Sequence, residues 1–331
     1  MKALQIVSSG KIAIRQVKVA QPKPGEALVK MKAAALNRRD QWIRQGKYPN
    51  IRFNTTLGSD GCGQVDQVGS KQHLSWVGQS VIINPNISWG DDPDCQSTDY
   101  RILGMPADGT LAEYITVPVD RLVAKPAHLS HSEAAALPLA GLTAYRALFR
   151  KGELQEGQRV LITGIGGGVS QMAFLLARAA GALVSVTSGS ADKLQQMIKL
   201  GAEHAYNYHE EWDRQALADN MQFDLIVDSI GGAQLNKLIK LTRPSGSIVF
   251  YGATTGLTPS LDLYRLFWNQ IALKGTTMGN DQEFEEMVDF TTKKVLHPMI
   301  DSERPFEQVL EAFDRMQQVE QLGKLVIWFG E

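Results

Sequence analysis

Through the first 120 or so residues, short runs of alternating apolar and polar side chains are broken by Gly, Pro and Asn. KIAIRQVKV, EALVKMKAAAL, GCGQVDQVG, SVIINPN and TLAEYITVPV each read as a strand, which predicts a compact, mostly β unit. From Ser130 the period changes. SHSEAAALPLAGLTAYRAL carries apolar residues at helical spacing, and the apolar runs VLITG, LVSVT, FDLIVDS and SIVFYG then alternate with helical segments. Alternation of this kind predicts a parallel sheet covered by helices. Two more helical stretches, EFEEMVDFTTKK and PFEQVLEAFDRMQQ, lead to GKLVIWF, a strand with no place in the preceding sheet and free to return to the first unit. No internal repeat or low-complexity tract is visible, which argues against a solenoid or a disordered linker.

At 331 residues the chain exceeds the size at which a single core keeps growing, so two units sharing an interface and a cleft are expected. The expected division is residues 1–125, then 126–265 for the parallel sheet, and 266–331 returning to the first unit. A net charge of −1, from 34 basic and 35 acidic side chains without a long run of either sign, gives no surface for nucleic acid or anionic lipid. Small neutral partners fit better. Two cysteines, Cys62 and Cys95, are too few for a disulfide framework, and MKALQIVSSGK lacks the apolar core of a signal peptide. A reducing, cytoplasmic location is the expectation. The apolar stretch from Val160 to Val186 is interrupted by Gly164, Gly166, Gly167, Gly168, Gln171 and Arg178, too often for a lipid-facing helix, so no membrane span is expected.

The candidate chemistry begins after the strand Arg159 to Thr163. Gly164-Ile165-Gly166-Gly167-Gly168-Val169-Ser170 is followed by apolar residues at 169, 172, 173, 176, 177 and 180, one face of a helix that stops at Gly181. Glycines here permit a tight turn and let backbone N–H groups at a helix start approach a pyrophosphate, so Gly166, Gly167, Gly168 and Val169 are candidate dinucleotide contacts. The strand, turn and helix context is what raises the motif above a bare glycine pattern. The next strand ends in Thr187-Ser188-Gly189-Ser190, about 20 residues on, where an NAD site would carry a carboxylate for the ribose 2′-hydroxyl. None is there. Lys193 instead falls in the first turn of the next helix, where a cation opposes the helix dipole unless an anion compensates it. A 2′-phosphate is such an anion, so Ser188, Ser190 and Lys193 point to NADPH; the bland alternative is that Ser190 caps the helix and Lys193 is solvated.

The order of AAALNRRDQWIRQGKYP, LGSDGCGQV, DGTLAEYITVP, LPLAGLTAY, the Gly-rich turn, FDLIVDSIGG, GSIVFYG, LKGTTMG and GKLVI resembles the medium-chain dehydrogenase/reductase superfamily over essentially the whole chain, and within it the zinc-less quinone oxidoreductase and enoyl reductase branch. The resemblance implies an α/β fold, with a Rossmann-type doubly wound parallel sheet domain beside a GroES-like, mostly β catalytic domain. It implies a homodimer as well. Zinc-dependent relatives place Cys, His and Cys where this chain has Asn37, Ser59 and Leu139, which cannot replace them, and the structural-zinc lobe has Cys95 alone; no metal is expected. Relatives also set a Lys and a Tyr against the 2′-phosphate, and Lys193 and Tyr208 stand at those places. Thr143, Ile230, Gly252, Met278 and Gly279 match positions near the nicotinamide. The last glycine of the turn is Ser170 here, a departure expected to loosen the packing of helix on strand.

Without zinc, hydrogen-bond donors must act on the oxygen that gains charge when a hydride reaches a quinone or an α,β-unsaturated carbonyl. Asn37 is the candidate polarising group, with capping of the loop to Asp40 as its alternative role. Asp40 is expected to orient the loop or a ribose. Relatives often carry Tyr where this chain has Trp42, which leaves Tyr48 as a candidate proton donor or pocket wall, or solvent as the donor. Trp89 and Trp268 are candidates for a flat-acceptor pocket or simply core. The six His residues show no metal-ligand spacing. Two further readings compete with the reductase: an NADP-dependent alcohol or aldehyde oxidoreductase, and an NADPH-binding protein with little turnover.

Overall fold

The computed structural model describes residues 1–256, 258 and 260–330. Its backbone divides into two compact units, Met1–Leu142 with Gly279–Glu331, and Thr143–Met278. The divisions lie later in the chain than residues 125 and 265. The helix His131–Ala136 packs on the strands Glu26–Ala35 and Asp60–Val68, which joins residues 126–142 to the first unit. The strand Ala272–Gly275 pairs with Thr242–Phe250, which joins residues 266–278 to the second.

In the first unit, the described residues form a seven-stranded sheet around Glu26–Ala35. One side of that strand pairs antiparallel with Asp60–Val68. The other side is shared, Tyr114–Pro118 along Glu26–Lys30 and Lys324–Trp328 along Ala33–Ala35. The closing GKLVI segment therefore lies in this sheet, parallel to Ile300–Pro305. Alternation buries Leu4, Ile6, Val29, Met31 and Ile327, and the helix Val309–Gln318 adds Phe313. Each such side chain, fully withdrawn from water, contributes about 1.5–3 kcal/mol. The first strand, Lys2–Ser8, and its hairpin partner Lys11–Gln16 form a separate pair.

In the second unit, the described residues form six parallel strands in the order Ala205–Asn207, Leu183–Ser188, Arg159–Ile162, Phe223–Asp228, Thr242–Phe250, Ala272–Gly275. Numbered along the chain, this is 3-2-1-4-5-6, the doubly wound order in which ligands bind outside the strand ends where the direction of progression reverses. That reversal lies between Arg159–Ile162 and Phe223–Asp228. The apolar runs that predicted these strands are buried because helices cover the sheet, with Leu161, Phe223, Ile226, Leu238 and Ile248 in one cluster. Among the described residues no helix is long and apolar enough to cross a membrane.

Candidate functional site

Strand register assembles one group of candidate residues within the first unit. Ala35 stands opposite Val326 on one side and Asp60 on the other, so continuing the first register by two residues brings Asn37 level with Lys324. Lys324 is a charged side chain only 4% exposed, and its ammonium donates to Asn37 Oδ1 at 2.6 Å and to Asp60 Oδ2 at 2.7 Å. These bonds settle the orientation of the Asn37 amide. Its oxygen faces the lysine, and its nitrogen donates to Asp60 Oδ2 at 2.9 Å, using one of two N–H groups. Asp60 Oδ1 takes the backbone N–H of Leu139 at 2.8 Å. Neither Lys324 nor Asp60 emerged from sequence reasoning; the quoted motifs LGSDG and GKLVI contained them, but only pairing across the sheet brings them together.

Asn37 also begins the helix Arg38–Arg44, whose Asp40 accepts the Asn37 backbone N–H through Oδ2 at 2.8 Å. Asp40 is fully buried and its Oδ1 has no partner. Burial pushes its carboxyl above the ordinary range, against the opposing pull of the Arg39 charge and the Asn37 N–H. Ser59 donates to the Leu103 carbonyl at 2.8 Å and accepts from Arg39 at 2.5 Å. Arg39, another residue missed from sequence, reaches the hydroxyl of the half-buried Tyr48 as well. Trp42 is on the exposed side of the same helix. Cys62 is buried and its thiol is pushed up to about 12 by desolvation, which removes it from thiolate chemistry. Trp89 is buried edge-on to Tyr100, with its indole N–H on the Asp92 carbonyl.

A separate group of candidate residues is built on the parallel sheet of the second unit. The strand Arg159–Ile162 leads through Gly164, at φ +63°, into the helix Gly168–Ala179. Gly166 to Val169 are half-buried, and no side chain caps the helix, so its first N–H groups are left for an anion. Ser170, in place of the usual last glycine, is buried in this turn. Its hydroxyl lies 3.0 Å from the Gly164 carbonyl and 2.9 Å from the Gly167 carbonyl, tying the turn to the helix. On the neighbouring strand, Asp228 accepts from Thr163 at 2.5 Å and from the N–H groups of Ile230 and Gly231 at 3.2 and 2.9 Å, fixing the loop that carries Ile230.

At the end of Leu183–Ser188, the Ser188 hydroxyl accepts from the Ser190 N–H at 3.1 Å, and Ser190 caps the helix Ala191–Lys199 by accepting from the Lys193 N–H. Tyr208 and His209 lie ring to edge beside Gly189, where an added Cβ would come within 2.5 Å of His209 Nε2 and 2.8 Å of the Tyr208 ring. Gly189 is what lets these rings approach the strand end. Thr143 Oγ1 contacts the sulfur of buried Met278 at 3.7 Å. Gly252 lies close to the Ser229 backbone. Gly279, at the start of the returning segment, accepts from Asn86 Nδ2. Trp268 is 67% exposed on the helix Leu263–Trp268.

Two family profiles match the chain: residues 23–127 fit an alcohol dehydrogenase GroES-like domain, and residues 168–293 fit a domain described as zinc-binding dehydrogenase. The zinc-type alcohol dehydrogenase-like protein YogA of Leptosphaeria maculans is 34% identical, covering 93% of this chain and 92% of its own. A 2-methylene-furan-3-one reductase of Solanum lycopersicum is 30% identical, covering 99% of this chain and 79% of its own. A crystal structure of an NAD-dependent alcohol dehydrogenase superposes with a TM-score of 0.92 at 33% identity, covering 100% of both chains.

Proposed function

The chain belongs to the medium-chain dehydrogenase/reductase superfamily and is an oxidoreductase of that family, and from this we propose that it reduces a quinone or an α,β-unsaturated carbonyl with NADPH, without metal. The observation that carries the proposal is the donor set. Where zinc-dependent relatives have three strong ligands, this chain offers Asn37, Ser59 and Leu139. The Asn37 amide is engaged by Lys324 and Asp60, Ser59 by Arg39 and the Leu103 carbonyl, and Leu139 has no ligand atom in its side chain. A zinc ion does not fit among these groups and the two buried cations beside them.

The turn Gly164 to Val169 suits a pyrophosphate, and Ser188, Ser190, Lys193 and Tyr208 surround the strand end where a 2′-phosphate would be recognised. NADPH, when bound, supplies the hydride. The remaining N–H of Asn37, aimed by Lys324, is the proposed donor to the oxygen that becomes an enolate, and Tyr48 the proposed source of its proton. Asp40 holds the turn that presents Asn37. Thr143, Ile230, Gly252, Met278 and Gly279 are the proposed nicotinamide-side contacts.

Relatives with alcohol dehydrogenase names, some of them NAD-dependent, favour a second reading as an alcohol or aldehyde oxidoreductase. Against it, none of the groups described above would lower the pKa of an alcohol as a metal does. Titration of chelator-treated protein with NADPH and NADH, followed by nicotinamide fluorescence, separates the readings when a panel of quinones, enones, aldehydes and alcohols is added. NADPH binding at least about tenfold tighter than NADH, a difference of about 1.4 kcal/mol, with metal-free oxidation by quinones or enones, is the expected result. Tighter NADH binding removes the roles given to Lys193 and Tyr208. Turnover restricted to alcohols and aldehydes supports the second reading, and binding without turnover makes the protein a dinucleotide-binding module.

A further inference from the structure

Arg39 is a buried guanidinium, and no carboxylate oxygen of the described residues lies within ion-pair distance of it. Its donors are instead spent on neutral oxygens. Nη1 bonds Ser59 Oγ at 2.5 Å and the Leu103 carbonyl at 2.7 Å, and Nη2 bonds the Met105 carbonyl at 3.4 Å. The remaining edge, Nε and Nη2, converges on the Tyr48 hydroxyl at 3.3 and 3.1 Å, with the guanidinium carbon 4.8 Å from the ring centre. With five N–H groups directed in this way, Arg39 has none left to hold a substrate directly. It acts on Tyr48.

A phenol oxygen that accepts two N–H bonds has its lone pairs occupied, so its own proton must point away from the arginine. Tyr48 is half-buried and therefore accessible, whereas Arg39 is locked in place by Ser59 and two carbonyls. The nearest acidic neighbour in sequence, Asp40, directs its Oδ2 to the Asn37 backbone N–H and forms no ion pair with the guanidinium. Negative charge appearing on the Tyr48 oxygen would meet that cation through two charge-assisted bonds.

We propose that Arg39 is the positioning residue of the reduction, aiming the Tyr48 proton and balancing the charge left on its oxygen. The inference rests on the reductase reading above. Bound NADPH would supply the hydride to the acceptor carbon, leaving the acceptor oxygen as an enolate or, in a quinone, a phenolate. The Tyr48 O–H bond breaks, its proton passes to the enolate oxygen, and the electron pair stays on the phenol oxygen between the two guanidinium N–H groups. Water then returns a proton to Tyr48 and leaves as hydroxide, which buffer neutralises.

The test compares wild type, Tyr48→Phe, Arg39→Gln, Arg39→Lys and the Arg39→Gln/Tyr48→Phe double variant in steady-state NADPH oxidation by a quinone or enone, with melting curves recorded for each. Tyr48→Phe is expected to lower kcat about 100-fold with KM within about threefold, the scale of a lost general acid. Arg39→Gln is expected to lower kcat at least about tenfold, to add less than about threefold in the Tyr48→Phe background, and to be partly rescued in Arg39→Lys. Rescue of Arg39→Ala by millimolar guanidinium, absent when Tyr48 is Phe, extends the same expectation to a variant whose fold is read independently by its melting curve. An active wild type in which the Arg39 and Tyr48 effects multiply independently, or in which Arg39→Gln changes melting but not kcat, overturns this inference alone. A wild type inert toward every acceptor overturns the reductase reading and this inference with it.

Discussion

At the level of single residues, the site depends on buried charge held in place by neighbours. Lys324 and Asp60 form an ion pair with side chains 4% and 0% exposed, bridged by the Asn37 amide. Such a pair adds little when compared with an apolar replacement of both partners, but removing one partner strands the other. Lys324→Met is therefore expected to cost about 3–5 kcal/mol, read as a lower midpoint in urea unfolding, and to release Asn37 from its single orientation. Asp40 makes an opposite prediction. Its folded-state carboxyl titrates above the ordinary value, so the native state binds the extra proton and stability falls as pH rises from about 4 toward the raised value. Asp40→Asn keeps an oxygen for the Asn37 N–H without a charge to desolvate. Melting curves across pH are expected to show the variant gaining on wild type as pH rises; a constant difference would mean that Asp40 does not titrate differently in the folded protein.

Among elements, the turn into the helix Gly168–Ala179 shows how a departure from a motif is compensated locally. Ser170 ties the carbonyls of Gly164 and Gly167, so Ser170→Gly is expected to destabilise by about 1 kcal/mol through the lost bond and the poorer helix former. Thermal melting checks this. The strand end at Ser188 is the proposed seat of cofactor selectivity. Lys193→Ala is expected to weaken NADPH at least about tenfold while leaving NADH nearly unchanged, since a single charge-assisted phosphate contact is lost. Gly189→Ala is expected to weaken NADPH by displacing Tyr208 and His209, which its methyl would strike. Fluorescence titration with both dinucleotides reads both variants, and equal losses for NADPH and NADH would argue against phosphate recognition here.

For the molecule as a whole, the chain's two ends build one unit and its middle builds the other. The middle unit presents Leu263, Tyr264, Phe267 and Trp268, each 64–67% exposed, on the helix that immediately precedes the sheet's edge strand Ala272–Gly275. An open edge next to exposed aromatics suits pairing with a second copy about a two-fold axis, and we propose a homodimer through this face. Trp268→Glu with Phe267→Glu is expected to halve the mass measured by light scattering; an unchanged mass would place any interface elsewhere, and a monomeric wild type would remove the proposal.

Local patterning made the architecture legible. Period-two runs marked the first unit, apolar strands alternating with helices marked the parallel sheet, and the glycines of the turn marked a candidate phosphate-binding position, because strand periodicity, helix periodicity and backbone freedom are properties of neighbouring residues. Short or less patterned strands such as Ala205–Asn207 and Lys2–Ser8 were missed for the same reason: their place depends on partners, not on a period. Asn37, Tyr48 and Lys193 could be selected from sequence by their neighbours in the chain. Their settings could not. Only the register that places Lys324 level with Asn37, 287 residues away in the chain, and the packing that closes Arg39 over Tyr48, nine residues on, decided which groups touch, because ion pairs and aimed protons depend on side-chain distances in space that chain order does not give.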